Sequence, residues 1–319
     1  MHMKDFPEYN DQSWHAKLND TCQKIVQAYK ANPEHVILIS GPTASGKSGL
    51  AMCVAQALNG VILSADSMQI YRGFDIGTAK ATPEEQRLIP HFMIDIVDPD
   101  QNYSVARFAE DARLILDDKA KEGRAVIVCG GTGQYIQALL DGIMFFSHER
   151  DDKLRAEIAA EAEGEGLAKL WQEIVRLDPD TAQTMESTDS RRIIRFHELY
   201  KLTGKTRSQI DLESRTLNNK YNFLPYFLNP GREFLNMRIA ARTSQMLDEG
   251  LVEETSALLS KYPDTGLQPY YGIGYREVIA YLSGEYSYEE MVEWIVIHTR
   301  QYAKRQRTWF RPRTDLIRV

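Results

Sequence analysis

Cysteine is scarce in this chain. Only Cys22, Cys53 and Cys129 occur in 319 residues, with no CxxC pair and no His/Cys cluster. That excludes a disulfide framework and a zinc module, and it suits a reducing cytosol. No apolar run approaches the roughly 20 residues needed to span a bilayer, and the N-terminal stretch is too polar for a secretory signal. An excess of positive charge is missing too. The net charge of −7, taken as an average, argues against a nucleic-acid partner. Repeats and low-complexity tracts are absent. What remains is a globular composition, 43% hydrophobic and 26% charged, with room for one large domain and a smaller one.

The densest signal is Gly41-Pro42-Thr43-Ala44-Ser45-Gly46-Lys47-Ser48. The apolar run Val36–Ile39 leads into it, and Leu50, Val54, Ala57 and Leu58 continue it at helical spacing. Strand, glycine loop and helix together make a phosphate-binding P-loop. Its backbone N–H groups can converge on an anion, the helix N-terminus adds partial positive charge, and Lys47 adds a full one. The hydroxyl of Ser48 suits a Mg²⁺ that bridges phosphate oxygens.

Strands are expected at 61–64, 91–96 and 125–129, alternating with helices, one of them over 105–116. This pattern reads as a parallel sheet covered on both faces. Ligands of such sheets collect beyond the strand C-terminal ends, which directs attention to two places. The second strand ends at Asp66, a residue equally suited to cap a turn or to act as a general base. The fourth ends in Gly130-Gly131-Thr132-Gly133, without the Mg²⁺-binding Asp of a typical P-loop ATPase. A hydrolase is therefore disfavoured, and a transferase whose glycine turn admits a second substrate is favoured.

Between Gly142 and Tyr221 long polar helical stretches (152–163, 167–177 and 179–202) replace the alternation and read as an insertion. The last carries Arg191, Arg192 and Arg195, which tilt towards a phosphate-backbone contact. A returning strand near 221–228 and a long helix follow, with Arg238 and Arg242 on one face. The segment from Thr299 is basic, with Tyr302, Trp309 and Phe310 interleaved. That mixture suits unstacked RNA bases, or equally a helix docked by its aromatics. The expected divisions are an N-terminal helical extension (1–34), a first part of the core (35–145), a helical insertion (146–220), and core completion with a basic helical segment (221–319).

Taken together, GPTASGKS (41–48), SADSMQIYRGFDIGTAK (64–80), GGTGQY (130–135), RRIIR (191–195), GIGYRE (272–277) and TRQYAKRQRTWFR (299–311) resemble the bacterial tRNA dimethylallyltransferases, also called tRNA isopentenyltransferases. The resemblance implies an α/β fold: a P-loop NTPase-like parallel sheet flanked by helices, with a mainly helical insertion. It also implies transfer of a dimethylallyl group from its diphosphate to N6 of the adenine beside the anticodon's 3′ side. Asp66 would be the base, helped by Thr132 and Lys47. Residues 41–48 and Arg242 would hold the diphosphate, with Mg²⁺ on Ser48. The tRNA anticodon stem-loop would meet Asp66, Ser67, Met68, Gln69, Thr132, Arg155, Arg191, Arg192, Arg195, Tyr275, Arg276, Lys304, Arg305, Gln306, Arg307, Trp309 and Arg311. A cytoplasmic monomer with no membrane partner is expected. A small-molecule P-loop kinase and a non-catalytic nucleotide-gated RNA binder remain rivals, though neither needs all of these motifs.

Overall fold

The computed structural model describes residues 11–143, 151–216 and 220–319. In chain order the elements are α1 (Asp11–Ala31), β1 (Val36–Ser40), α2 (Lys47–Leu58), β2 (Val61–Ser64), α3 (Pro83–Leu88), β3 (His91–Phe92), α4 (Val105–Lys121), β4 (Val126–Gly130) and α5 (Gly133–Leu140). Then follow α6 (Asp152–Glu161), α7 (Gly166–Leu177), α8 (Pro179–Gln183), α9 (Ser190–Thr203) and α10 (Arg207–Thr216). The chain closes with β5 (Phe223–Phe227), α11 (Arg232–Asp248), α12 (Leu251–Lys261), α13 (Tyr275–Leu282), α14 (Tyr288–Phe310) and β6 (Ile317–Arg318).

The six strands form one sheet in the order β3-β2-β4-β1-β5-β6, every neighbour parallel. β1, β2 and β4 are buried along their whole length, which is why their sequences run apolar without alternation. The fold is therefore the P-loop NTPase-like parallel sheet flanked by helices. Central β1 ends where the P-loop begins, and its neighbour β4 ends in the glycine turn.

The chain divides into two compact units, 1–137 with 221–319, and 138–220. Two apolar clusters of the first unit matter most here. One joins β1, β2 and β4 to α1 and α2 through Ile25, Ile37, Leu50, Val54 and Ile127. The other gathers Tyr71, Phe74, Tyr270, Tyr275, Met291 and Ile295. The insertion has its own core of Ile158, Leu170, Ile174, Ile193 and Phe196. The apolar stripe of α7 supplies two of these.

The expected N-terminal helical extension, α1, packs on the core, with Cys22 and Ile25 buried in the sheet cluster. Its side-by-side packing on α2 brings Cys22 to Cys53, and the two are joined as a disulfide with Cα atoms 6.5 Å apart, so the cysteines are not all free. The strand expected over 91–96 stops at Phe92, because Met93 and Asp95 take positive φ values of 63° and 52°, which no ladder accommodates. The helix expected over 179–202 breaks at Thr184, and Asp189 caps a new one by accepting the Arg192 N–H. The insertion begins inside α5 at Ala138 rather than at 146.

Candidate active site

The P-loop is a nest of backbone donors. Ala44 sits in the left-handed region with φ 63°, and Gly46 follows with φ 90°. Holding an alanine there costs about 1 kcal/mol, a strain that turns successive N–H groups inward. The N–H groups of Ala44, Gly46, Lys47 and Ser48 have no hydrogen-bond partner among the described residues. They lie at the N-terminus of α2, where the helix dipole favours an anion. The Ser45 hydroxyl is buried in the same loop without a partner among the described residues. Two of the loop's backbone donors are already engaged. The Thr43 N–H is taken by Gln306 Oε1 at 2.8 Å, and the Ser45 N–H turns back to the Pro42 carbonyl at 3.3 Å.

Cations face this nest from two elements. Lys47 Nζ reaches the Pro42 carbonyl at 3.4 Å. On α11, Arg242 donates to the Thr43 hydroxyl at 3.3 Å, and Arg238, one turn earlier, donates to the Ala44 carbonyl at 3.1 Å. Burial pushes the Lys47 pKa down, as it does that of Arg242, while the Asp66 carboxylate opposes the shift at both. Asp66 offsets these two crowded, desolvated cations only in part, and a bound anion would add to the compensation. Burial also drives the neighbouring Cys129 thiol up to about 11, so it stays neutral.

Asp66 leaves the end of β2 in a tight Asx turn: its Oδ1 accepts the Met68 N–H at 2.9 Å, while Oδ2 has no hydrogen-bond partner among the described residues. One oxygen serves the turn and one remains for chemistry. Across the sheet, the Thr132 hydroxyl accepts the Ser67 N–H at 3.0 Å and donates to the Ser67 hydroxyl at 3.3 Å. Thr132 thereby ties the end of β4 to the end of β2. Gln69 is spent on the loop itself: its Oε1 accepts from Ser64, and its Nε2 donates to the carbonyls of Thr78 and Ala79. That occupies the amide expected to read RNA.

Residues 66–80 are fastened at two more points. Lys80, with only 2% of its side chain exposed, donates to the Tyr71 carbonyl at 2.8 Å and to Asp75 and Asp95 at 2.6 Å each. From α12, Glu254 accepts the N–H of Ile76 at 2.9 Å, that of Asp75 at 3.2 Å, and the Tyr275 hydroxyl at 2.6 Å. Tyr275 is fully buried and its ring lies against Gly77, so it is a core residue and not the RNA contact expected of it. A cleft of about 2040 Å³ opens over the P-loop, lined by Lys47, Asp66, Met68, Arg242, Val296 and Tyr302 among others.

Of the expected RNA-facing residues, Lys304, Arg305, Trp309 and Arg311 are exposed on α14 or just beyond it, with Arg307 partly covered. Arg276 pairs with buried Glu277, which also accepts from His298 at 2.7 Å. Within the insertion, Arg191 and Arg192 are exposed on the first turn of α9. Arg195 pairs at 2.9 Å with buried Glu198, which also holds Arg155 at 3.5 Å. Arg238, expected to share a face with Arg242 but not counted among the diphosphate ligands, reaches the P-loop as well.

Residues 69–313 match the family model described as IPP transferase. The chain belongs to that family. A tRNA dimethylallyltransferase of Geobacter metallireducens is 44% identical over 285 residues, covering 89% of this chain and 92% of its own length. One from Halothermothrix orenii is 41% identical over 281 residues, covering 88% and 86%. Among solved IPP transferase family structures, the tRNA isopentenylpyrophosphate transferase of Bacillus halodurans superposes with a TM-score of 0.65 at 36% identity, covering 90% of this chain and 89% of that one. A eukaryotic dimethylallyltransferase acting on tRNA reaches 0.76 at 28% identity, covering 90% and 73%.

Proposed function

We propose that the protein transfers a dimethylallyl group from dimethylallyl diphosphate to N6 of the adenine next to the anticodon's 3′ side in tRNA. The observation that carries this is the pairing of an anion nest with one free carboxylate oxygen. Four unpartnered N–H groups and two under-compensated cations face a cleft that also holds Asp66. A diphosphate fits the nest, and the family's tRNA-modifying relatives supply the acceptor.

In the reaction, N6 attacks the allylic carbon as the carbon–oxygen bond to the diphosphate breaks, and the bond electrons leave with the diphosphate. Asp66 Oδ2 takes the N6 proton. Such general-base help is worth roughly 10²–10⁴-fold. The loop N–H groups, Lys47 and Arg242 stabilise the charge gathering on the leaving group without rearranging. Ser48, on the first turn of α2 beside Lys47 and with its hydroxyl within hydrogen-bond reach of Cys129, would hold a Mg²⁺. No cluster of three acidic, His or Cys side chains exists among the described residues, so its other ligands would be diphosphate oxygens and water. That ion would neutralise diphosphate charge when bound. The adenine reaches a strand-end cleft by leaving its stack, as bases do in other enzymes that modify them. No helix among the described residues is long and apolar enough to cross a membrane.

Asp66→Asn tests the assignment. The amide oxygen can still accept the Met68 N–H, so folding and tRNA binding should persist while prenyl transfer, read as a mass gain on unmodified tRNA, falls roughly 10²–10⁴-fold. Turnover within a few-fold of wild type removes Asp66 as the base. Phosphate transfer from ATP with no prenyl gain on tRNA would return the protein to the kinase reading.

A further inference from the structure

Gln306 was expected to touch tRNA, since it lies in the basic KRQRTWF run. The structure gives it another environment. Its residue is 5% exposed, Oε1 accepts the Thr43 N–H at 2.8 Å, and Nε2 donates to the Gly131 carbonyl at 3.0 Å. Thr43 belongs to the P-loop and Gly131 to the glycine turn at the end of β4. One amide therefore spans the two loops that frame the site, with both of its ends satisfied. Tyr302, one turn earlier on α14, lies within hydrogen-bond reach of Thr132 and Gln306, and Trp309 packs where a Cβ on Gly133 would stand. The spacing i, i+4, i+7 puts all three on one face of α14. Lys304, Arg305 and Arg311 are exposed.

We propose that Gln306 is a positioning residue for the diphosphate: it fixes the P-loop nest against the Gly130–Gly133 turn, so that a helix carrying exposed basic residues also sets the geometry of the leaving-group site. The proposal rests on the P-loop holding the diphosphate. Its physical basis is the exclusivity of the two bonds. A side chain that supplies only an acceptor, or neither group, leaves a buried N–H or carbonyl unpaired, and the loop then moves to find water. Displacing Thr43 also moves the hydroxyl that Arg242 grips. The glycine turn, which the residues alone suggested as an opening for a second substrate, is filled on its Gly131 and Gly133 sides by α14.

The chemistry of glutamate offers a specific test. A protonated glutamic acid reproduces the amide, with its carbonyl accepting from Thr43 and its O–H donating to Gly131. A glutamate carboxylate instead sets a charge against the Gly131 carbonyl. Full-length wild type, Gln306→Glu and Gln306→Met are compared for kcat and KM towards dimethylallyl diphosphate and unmodified tRNA from pH 5.5 to 9, with thermal unfolding as a folding check. The methionine variant should raise KM for the diphosphate about ten-fold or more at every pH and leave tRNA affinity within about two-fold. The glutamate variant should approach wild type on the acid side and fall relative to it as pH rises, a trend the methionine variant lacks. If the methionine variant does not fold, the pH dependence of the glutamate variant decides alone. Wild-type diphosphate KM in Gln306→Met, or a flat ratio in Gln306→Glu, overturns the proposal. A loss confined to tRNA affinity also overturns it and makes Gln306 an RNA contact. Calorimetry with inorganic pyrophosphate separates the underlying assumption: equal binding by wild type and Lys47→Met means the P-loop is not the diphosphate site, whatever Gln306 does.

Discussion

Glu254 sits on α12 in no recognised motif, yet it holds the loop that carries Asp66. Its carboxylate receives the Ile76 N–H at 2.9 Å, the Asp75 N–H at 3.2 Å and the Tyr275 hydroxyl at 2.6 Å. Glu254→Gln keeps the shape but replaces one acceptor oxygen with an NH₂ group facing N–H donors. Two charge-assisted bonds are lost, at about 1.5 kcal/mol each. The resulting 3 kcal/mol or so corresponds to about a 100-fold rise in the local opening equilibrium of the loop. Hydrogen-exchange mass spectrometry on a peptide covering residues 71–80 reads this directly and needs no assumption that the two units unfold together. The exposed neighbour Glu253, changed to Gln, serves as the control. Wild-type exchange in the Glu254→Gln peptide, with the protein folded, would show that the carboxylate does not hold the loop. Equal acceleration in both variants would show that the effect is charge alone.

Lys47→Met should raise the melting temperature of the ligand-free protein while removing diphosphate affinity. Burial lowers the Lys47 pKa from its ordinary 10.5, so the folded state binds that proton less tightly than the unfolded chain. The penalty is full below the lowered pKa and fades as pH climbs to 10.5, so the gap between variant and wild type should narrow over that range. A variant that melts lower than wild type at pH 7 contradicts the burial argument. Gly131→Ala should cost stability as well as diphosphate affinity, because its Cβ would collide with the buried amide of Gln306 and push it off both of its bonds; thermal unfolding and calorimetry report the two losses. Arg191→Ala should leave the fold intact, weaken tRNA binding and reduce the slope of log affinity against log salt by about one. Unchanged affinity and slope would make Arg191 a solvated surface charge.

The strand–loop–helix of residues 36–58 was legible because glycine spacing and an unbroken apolar run leave few alternatives. Helix α7 was legible from its 3.6-residue stripe. Asp66 was legible only as an even choice between turn and base, and its two carboxylate oxygens take one role each. Gln306 and Tyr275 were misread for a common reason. Each stands in a motif associated with RNA, and a motif assigns a role to a stretch, whereas the helical phase decides which side chains face inward. In α14, Lys304 and Arg305 are exposed and Gln306, the next residue, is buried. Lys80 and Glu254 escaped notice because their partners are backbone groups and acids brought close only by the tertiary fold.

The strand order has a kinetic side. β1 lies between β4 and β5, and the register pairs Ile37 with Ile127 on one flank and with Leu224 on the other. A chain made from its N-terminus carries the P-loop long before the second flanking strand exists, and until then β1 shows one unpaired apolar edge. Closing that edge requires a loop containing the whole insertion, whose own core can consolidate meanwhile. The bonds from Arg242 and Gln306 come later still in synthesis. A nascent chain should therefore be a poor diphosphate binder and vulnerable to strand-edge association until its final helix has emerged and docked.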